Sequence, residues 1–260
     1  GLRQALATGE PNRYWIKVSC DTEGELIIND LVDCYENGET YEKVSGIWTW
    51  DELGEPIYTG MRIPQKDLTV IPNAIWDGVD LDSYAQFHYE GHTHLPLQGS
   101  RGCTYKCTFC SETRIFRFRK GSDIKKEVLD QVNKYGVTHF SFVDSLVNGS
   151  MKHFRTLCAE LAKIDRKLKW NGQFIIRAKN TFKESDFDNL ANSGCTGLTL
   201  GIESGNESVR HHMRKKFTND DLDWFVTNLG KRKIKMKFLL IVGYPTETEE
   251  DFQETLDMLH

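Results

Sequence analysis

Strand-like and helix-like segments alternate five times between residue 95 and the end of the chain. The predicted strands cover residues 95–98, 137–143, 168–176, 197–202 and 234–242, and the predicted helices cover residues 122–135, 151–164, 183–192, 219–229 and 247 onward. Repeated strand–helix units favour parallel strands joined by helical crossovers. The expected fold class is therefore α/β, as a barrel or as a doubly wound sheet.

Glycine or polar residues follow each predicted strand. They are Gly99 to Gly102, Asp144 with Ser145, Arg177, Glu203 to Gly205, and Gly243 to Pro245. In a parallel barrel the carboxyl ends of the strands meet on one face, where the active sites of such folds lie. A doubly wound sheet would place its site at a switch in strand order, which the sequence does not reveal. The pattern favours the barrel.

Two segments precede the repeats. Residues 1–60 indicate the end of another α/β unit, since they contain a predicted strand, amphipathic helix and strand at 14–18, 25–35 and 44–50. Residues 61–92 are punctuated by prolines and show no long hydrophobic period, so we predict a linker. Residues 93–260 form the repeat domain. Because its last helical pattern runs to the end of the chain, we interpret the chain as a fragment of a longer protein.

Composition narrows the class of protein. The chain has 260 residues with a formal net charge of -5, from 33 Lys and Arg against 38 Asp and Glu. No stretch approaches the roughly 18 consecutive apolar residues of a membrane span. The first residues do not form a signal peptide, so we expect a cytoplasmic protein. The mild acidity argues against broad, nonspecific binding of nucleic acid.

The spacing of the cysteines points to metal chemistry. Three of the seven, Cys103, Cys107 and Cys110, fall in a C-x3-C-x2-C pattern, and an odd number of cysteines in a chain of this length does not indicate a disulfide framework. The isolated ones are expected to be small core residues: Cys20, Cys34, Cys158 and Cys195. Three thiolates need a fourth ligand to complete a zinc site. On a four-iron cluster they leave one iron open to a small molecule.

This cysteine pattern, preceded by Gly99 to Gly102 and with Phe109 just before the last cysteine, resembles the signature loop of the radical S-adenosylmethionine (SAM) superfamily. The resemblance implies a [4Fe-4S] cluster held by Cys103, Cys107 and Cys110, with SAM on the open iron. It also implies an external one-electron reductant of the flavodoxin or ferredoxin type, and reductive cleavage of SAM to a 5′-deoxyadenosyl radical that abstracts hydrogen from a substrate. The implied fold is a partial (β/α)6 TIM-like barrel, with about five repeats present.

A narrower resemblance extends over most of the chain. The matching motifs are at residues 68–76, 81–84, 98–112, 142–144, 201–205 and 242–248. They resemble the cobalamin-binding subgroup of the superfamily, in which a Rossmann-like domain precedes the barrel. Residues 1–60 are similar to the end of that domain, whose cobalamin-ligating His motif would lie before Gly1. The subgroup therefore implies cobalamin as a further cofactor and methylation as one outcome.

The resemblance also implies which residues position SAM. Glu203 matches a position that contacts SAM, and its carboxylate suits ribose hydroxyls. Arg177, which follows Gln173, suits the methionine carboxylate. Asp144 could hold substrate or the methionine amine. The remaining expected contacts are Gln173, the turn residue Ser204, the apolar strand end at Val242 and Gly243 beside the adenine, and the backbone of Phe109.

Each of these residues has a plainer interpretation. Glu203 could be a carboxylate at a helix amino terminus, Arg177 a surface arginine, and Asp144 a helix cap. Residues 241–243 could be a buried strand that ends in a turn, and Phe109 a core aromatic residue.

Two other functions compete with the leading one. A methylthiotransferase acting on transfer RNA or a ribosomal protein would need a further cluster domain upstream and an RNA-binding domain downstream. A zinc-binding interaction module would use the three cysteines with His92 or His94 as the fourth ligand. The zinc-binding module does not explain why five strand–helix repeats should converge on the cysteine-containing loop.

Overall fold

A computed structural model describes residues 17–21, 23–51, 53–85, 91–112, 115–164 and 167–259. Its contacts divide the chain into two compact units, Gly1–Lys66 and Asp67–His260. Most of the strand predicted at 14–18 lies outside the described residues.

The first unit pairs one helix with a small antiparallel sheet. Its described elements are β1 (Ser19–Cys20), α1 (Gly24–Glu36), β2 (Ile47–Trp50) and β3 (Pro56–Tyr58), with strand order β1-β2-β3. Ile27 and Cys34 of α1 form a core with Val44 and Ile47, which is the apolar face that the helix pattern predicts. The assignment of this unit to the end of a cobalamin-binding domain stays a prediction.

Cys20 corrects one sequence-based expectation. Its side chain is exposed, not part of the core. Ser19, its neighbour on β1, is the buried residue, because successive side chains of a strand point to opposite faces. Cys34, Cys158 and Cys195 are buried as predicted.

The second unit contains the strand–helix repeats. Its strands are β4 (His94–Leu97), β5 (Ser100–Arg101), β6 (Arg117–Phe118), β7 (His139–Phe142), β8 (Lys169–Phe174), β9 (Cys195–Glu203) and β10 (Lys235–Leu240). Its helices are α2 (Leu81–Ala85), α3 (Gly121–Tyr135), α4 (Met151–Leu161), α5 (Glu184–Asn192), α6 (Glu207–His212), α7 (Asn219–Lys231) and α8 (Glu249–Met258). All five predicted strands and all five predicted helices of the repeats are present, with ends shifted by at most three residues. Helices α2 and α6 and the two-stranded β5-β6 ribbon were not predicted from the sequence.

Strand order separates the two α/β architectures. The five repeat strands are parallel and lie in the order β4-β7-β8-β9-β10, so each strand neighbours the next one along the chain. A doubly wound sheet reverses its strand order at a switch point, whereas these five strands follow the order of the chain. The order is that of a barrel wall, as the sequence pattern predicts.

The two faces of this sheet differ in polarity. Phe140, Trp170 and Leu200 lie on the face that packs against the helices, and all three are buried. The other face is polar: Gln173, Thr199 and Lys237 lie side by side in register across β8, β9 and β10. Side-chain alternation along each strand thus separates an apolar, helix-covered face from a polar one.

Candidate functional site

Residues 103–110, here named the cysteine loop, begin at the carboxyl end of the first repeat strand, just after β5. Gly102 enters the loop with φ 78°, in the left-handed region that glycine adopts without strain. Cys103 and Cys107 are half-buried and Cys110 is exposed. The structure therefore places the three thiols on one partly open loop at the carboxyl edge of the sheet.

Backbone amides donate toward the sulfur atoms of this loop. The amide N of Tyr105 lies 3.4 Å from Cys103 Sγ, and the amide N of Glu112 lies 3.4 Å from Cys110 Sγ. Burial raises the pKa of the Cys103 and Cys107 thiols, and the Lys215 charge opposes that rise. Amide donors and a nearby cation stabilise thiolate sulfur, so this donor set fits an iron–sulfur cluster.

Side-chain contacts hold the cysteine loop over the sheet. Thr108 Oγ1 lies 2.7 Å from the hydroxyl of Tyr244, and its amide donates to the carbonyl of Met213 at 3.3 Å. Thr104 Oγ1 donates to the carbonyl of Gly149 at 3.3 Å. These contacts connect the loop to the segments that follow α6, β7 and β10.

Asp144 holds the segment that leads into the cysteine loop. Its carboxylate accepts hydrogen bonds from the amide of Gly99 at 2.8 Å and from the hydroxyl of Ser100, and its side chain is buried. Burial raises its pKa to about 6. The cap of α4 is Ser150, whose hydroxyl accepts from the amide of His153, so Asp144 does not serve as the helix cap.

Arg177 lies just beyond the carboxyl end of β8. Its side chain is half-buried, so it is not a surface arginine. Its Nη2 donates to the carbonyls of Asn148 at 2.6 Å and Gly149 at 2.9 Å. Its guanidinium stacks over the Tyr105 ring, 5.1 Å from the centroid. Its Nε is buried and has no hydrogen-bond partner in the described part of the chain. The arginine is thus anchored on one edge and has donors left for a ligand.

Glu203 ends β9 in a strained conformation. Its φ is 72°, which a residue with a Cβ adopts only when its surroundings hold it there. Lys215 Nζ lies 2.7 Å from Glu203 Oε1, and both side chains are buried. Helix α6 begins four residues later with Asn206 as its N-cap, so Glu203 is not a carboxylate of a helix amino terminus.

Ser204 and Gly205 form the turn after Glu203, and both contact α8. The amide of Gly205 donates to Thr255 Oγ1 at 2.9 Å, and Ser204 Oγ lies 3.3 Å from the same atom. A Cβ at Gly205 would lie 2.6 Å from the carbonyl oxygen of Glu254. Position 205 is glycine because helix α8 packs directly against the backbone there and leaves no room for a side chain.

The other predicted residues lie along the same edge or on the polar sheet face. Val242 is exposed, and Gly243 has φ 77° while its amide donates to Glu247 Oε2 at 2.6 Å. Gln173 is exposed on the polar face of β8. Phe109 is 43% exposed, so it is not a core aromatic residue. Residues 241–243 follow β10 and are not a buried strand end.

A cavity of about 870 Å3 opens beside the cysteine loop. Its walls come from the cysteine loop, from the segments that follow β7 and β8, and from the end of α6 with the residues after it. They are formed by Thr104, Tyr105, Lys106, Gly149, Arg177, His211, His212, Arg214, Lys215 and Lys216. The sequence analysis did not predict that residues 210–216, at the end of α6 and just after it, belong to the site. The signal was present, since the run Arg210-His-His-Met-Arg-Lys-Lys216 is a dense basic segment soon after Glu203.

His94 lies at the other end of the sheet from the cysteine loop. It is the first residue of β4, and its Nδ1 contacts Asn171 Nδ2 at 3.3 Å and Ser141 Oγ at 3.4 Å. The rings of His92 and His94 both contact that of His139, with centroids 4.3 and 5.2 Å apart. The two histidines of the zinc alternative thus belong to a cluster at the amino ends of β4 and β7. Across the described ranges, no three His, Cys, Asp or Glu side chains are arranged to hold a single metal ion.

Comparison with known proteins identifies the family. A family model described as the radical SAM superfamily matches residues 97–259. The chain belongs to this superfamily. Radical SAM proteins are enzymes whose cofactors are a [4Fe-4S] cluster and SAM.

Similar radical SAM relatives include two methyltransferases. An uncharacterized methyltransferase of Pyrococcus horikoshii is 24% identical over 90% of this chain and 50% of its own length. Bacteriochlorophyllide d C-12(1)-methyltransferase of Chlorobaculum tepidum is 27% identical over 95% of this chain and 57% of its own length. The chain therefore spans about half the length of the curated relatives it matches.

Among solved structures, the radical SAM methyltransferase TsrM of Kitasatospora setae has the same fold. It superposes with a TM-score of 0.78 at 19% identity, covering 95% of this chain and 49% of that protein. That structure holds tryptophan and a SAM analogue, and another structure of TsrM holds cobalamin and a [4Fe-4S] cluster.

In the described part of this chain, no helix is long and apolar enough to span a membrane.

Proposed function

We propose that Cys103, Cys107 and Cys110 hold the [4Fe-4S] cluster of this radical SAM enzyme and that the cavity beside the cysteine loop receives SAM and substrate. The observation that carries the proposal is that the loop with three thiols, the Glu203–Lys215 pair and the anchored Arg177 lie together at the carboxyl edge of the sheet. When bound, the cluster supplies the electron that cleaves SAM to a 5′-deoxyadenosyl radical.

The chain's own residues prepare this edge for both cofactors. The amides of Tyr105 and Glu112 donate to cysteine sulfur, and the Lys215 charge favours the thiolate form of Cys103 and Cys107. Glu203 uses Oε1 for Lys215, which leaves Oε2 to accept hydroxyl donors such as those of a ribose. The lysine fixes the orientation of that carboxylate before any ligand arrives.

Arg177 and Asp144 have different tasks in this proposal. Arg177 is held by two backbone carbonyls and by the Tyr105 ring, so its remaining donors are oriented for a carboxylate such as that of methionine. Asp144 acts as a positioning residue, because its carboxylate accepts hydrogen bonds from Gly99 and Ser100, just before the cysteine loop. Val242, Gly243 and the backbone of Phe109 would border the adenine.

The reaction is proposed to be methylation with cobalamin as a methyl carrier. The similar proteins described above include methyltransferases, and TsrM binds cobalamin. We further propose a flavodoxin- or ferredoxin-type reductant and a cytoplasmic location. Seven free cysteines suit a reducing compartment.

The test is anaerobic reconstitution of the protein with iron and sulfide, followed by electron paramagnetic resonance of the reduced sample with and without SAM. We expect a cluster signal that shifts when SAM is added, because SAM binds the open iron. A protein that takes up zinc and no cluster, and whose spectrum does not respond to SAM, would refute the proposal.

A further inference from the structure

The cavity beside the cysteine loop is lined by cations. Among the residues that the structure describes, five lysine or arginine side chains and two histidines contribute to its walls, and no Asp or Glu side chain does. The whole chain carries a formal net charge of -5. The concentration of positive charge is therefore a local property of this cavity and does not follow from composition.

Two of the five cations already have partners. Lys215 pairs with Glu203, and Arg177 is bound by two carbonyls and the Tyr105 ring. Lys106, Arg214 and Lys216 are exposed and make no ion pair with any residue that the structure describes. Arg214 also has φ 61°, so the backbone holds this side chain at a strained position on the cavity wall.

The cofactors of the proposed function do not neutralise these three cations. A four-iron cluster with three thiolates carries about one net negative charge in its oxidised form. SAM, with a sulfonium, an ammonium and a carboxylate, carries about one net positive charge at neutral pH. Together they are close to neutral, so Lys106, Arg214 and Lys216 keep an excess of positive charge when both are bound.

We propose that the substrate of this enzyme carries a phosphate group, which Lys106, Arg214 and Lys216 bind in the cavity. The inference rests on the proposed function, since it assigns the substrate class of the same site. Lysine provides a mobile point charge and arginine a planar pair of donors, and both form strong charge-assisted hydrogen bonds to phosphate oxygens. The volume of the cavity suits a small phosphorylated molecule.

Pyrophosphate is the probe, titrated calorimetrically into the reconstituted protein under anaerobic conditions with saturating SAM. We expect saturable binding at one site, and about tenfold weaker binding in the Lys106→Gln/Lys216→Gln variant. The matched control is Lys126→Gln/Lys152→Gln, which removes two exposed lysines of α3 and α4 outside the cavity. Its affinity should stay within about twofold of wild type, since long-range attraction between exposed charges is screened.

Four results would overturn the phosphate assignment: no binding by wild type, equal losses in both double variants, competition between pyrophosphate and SAM, or tighter binding of an oligoribonucleotide than of pyrophosphate. Competition would assign the cations to the SAM carboxylate, and the oligoribonucleotide result would assign them to nucleic acid. Failure of the proposed function would be detected in a different experiment: SAM would not change the electron paramagnetic resonance spectrum of the reduced wild-type protein. If only the phosphate assignment fails, that spectrum still responds to SAM.

Discussion

Lys215 and Glu203 form a buried ion pair, with Lys215 Nζ 2.7 Å from Glu203 Oε1. Glu203 is the last residue of β9, and Lys215 lines the cavity. Lys215 also donates to the carbonyl of Gly201. The pair therefore ties the cavity wall to the end of a central strand, and it holds the strained backbone of Glu203 in place. The charge of Lys215 also acts on the half-buried thiols of Cys103 and Cys107.

Removing one member of this pair should be costly. Lys215→Met leaves the Glu203 carboxylate buried without its cation, and we expect the free energy of unfolding at pH 7 to fall by about 3 kcal/mol. Lys216→Met, the exposed neighbour, should change it by no more than about 0.5 kcal/mol. The double variant Glu203→Gln/Lys215→Met should recover part of the loss, since neither charge remains. Urea unfolding measures all three, and equal effects of the two single lysine variants would contradict the buried pair.

Asp144 should make stability depend on pH with a defined sign. Its pKa is about 6 in the folded protein against 3.8 for an ordinary Asp, so the folded state binds the extra proton between these values. The contribution of Asp144 to the free energy of unfolding therefore falls as pH rises from about 4 to about 6, by up to about 3 kcal/mol. Asp144→Asn removes that dependence while its amide oxygen can still accept from the Gly99 amide.

The measurement is urea unfolding of wild type and Asp144→Asn at several pH values between 4 and 7. The variant should gain stability relative to wild type across this window. A difference between the two proteins that stays constant with pH would show that Asp144 is ionised at an ordinary pKa in the folded state.

Gly205 should tolerate no side chain. A Cβ there would lie 2.6 Å from the Glu254 carbonyl oxygen and 2.7 Å from Thr255 Cα, so α8 would have to move. We expect Gly205→Ala to destabilise the protein by about 2 kcal/mol. The control is Gly230→Ala in α7, where a Cβ meets open space and helix propensity should add about 0.5 kcal/mol. Thermal or urea unfolding should therefore shift in opposite directions for the two alanines.

The three cysteines of the cysteine loop should be required for binding the iron–sulfur cluster, and the other cysteines should not. Alanine at Cys103, Cys107 or Cys110 should abolish reconstitution of a stable [4Fe-4S] cluster, because each thiolate is expected to bind a separate iron. Cys20→Ala is the control, since this thiol is exposed and lies in the first unit. Iron and sulfide analysis with visible absorbance reports the result. Retention of a full cluster by any of the three loop variants would contradict the ligand assignment.

The sequence by itself determined the repeating strands and helices and the cysteine loop. Hydrophobic period, helix caps and strand-end glycines depend on residues within a turn or two of one another. Thr218 and Thr248 accordingly cap α7 and α8 within one residue of the predicted helix starts. The spacing of the three cysteines was likewise a local signal, and it led to the family that comparison confirmed.

Only the tertiary structure decided which side chains meet. Asp144 binds Gly99, 45 residues away, and Arg177 binds the carbonyls of residues 148 and 149. Lys215 turns back onto Glu203, and the cations after α6 line a cavity beside the loop. No periodicity encodes these contacts, because they depend on strand order and on how distant segments pack. Local propensity sets the elements of this protein, while long-range packing sets the charge and shape of its site.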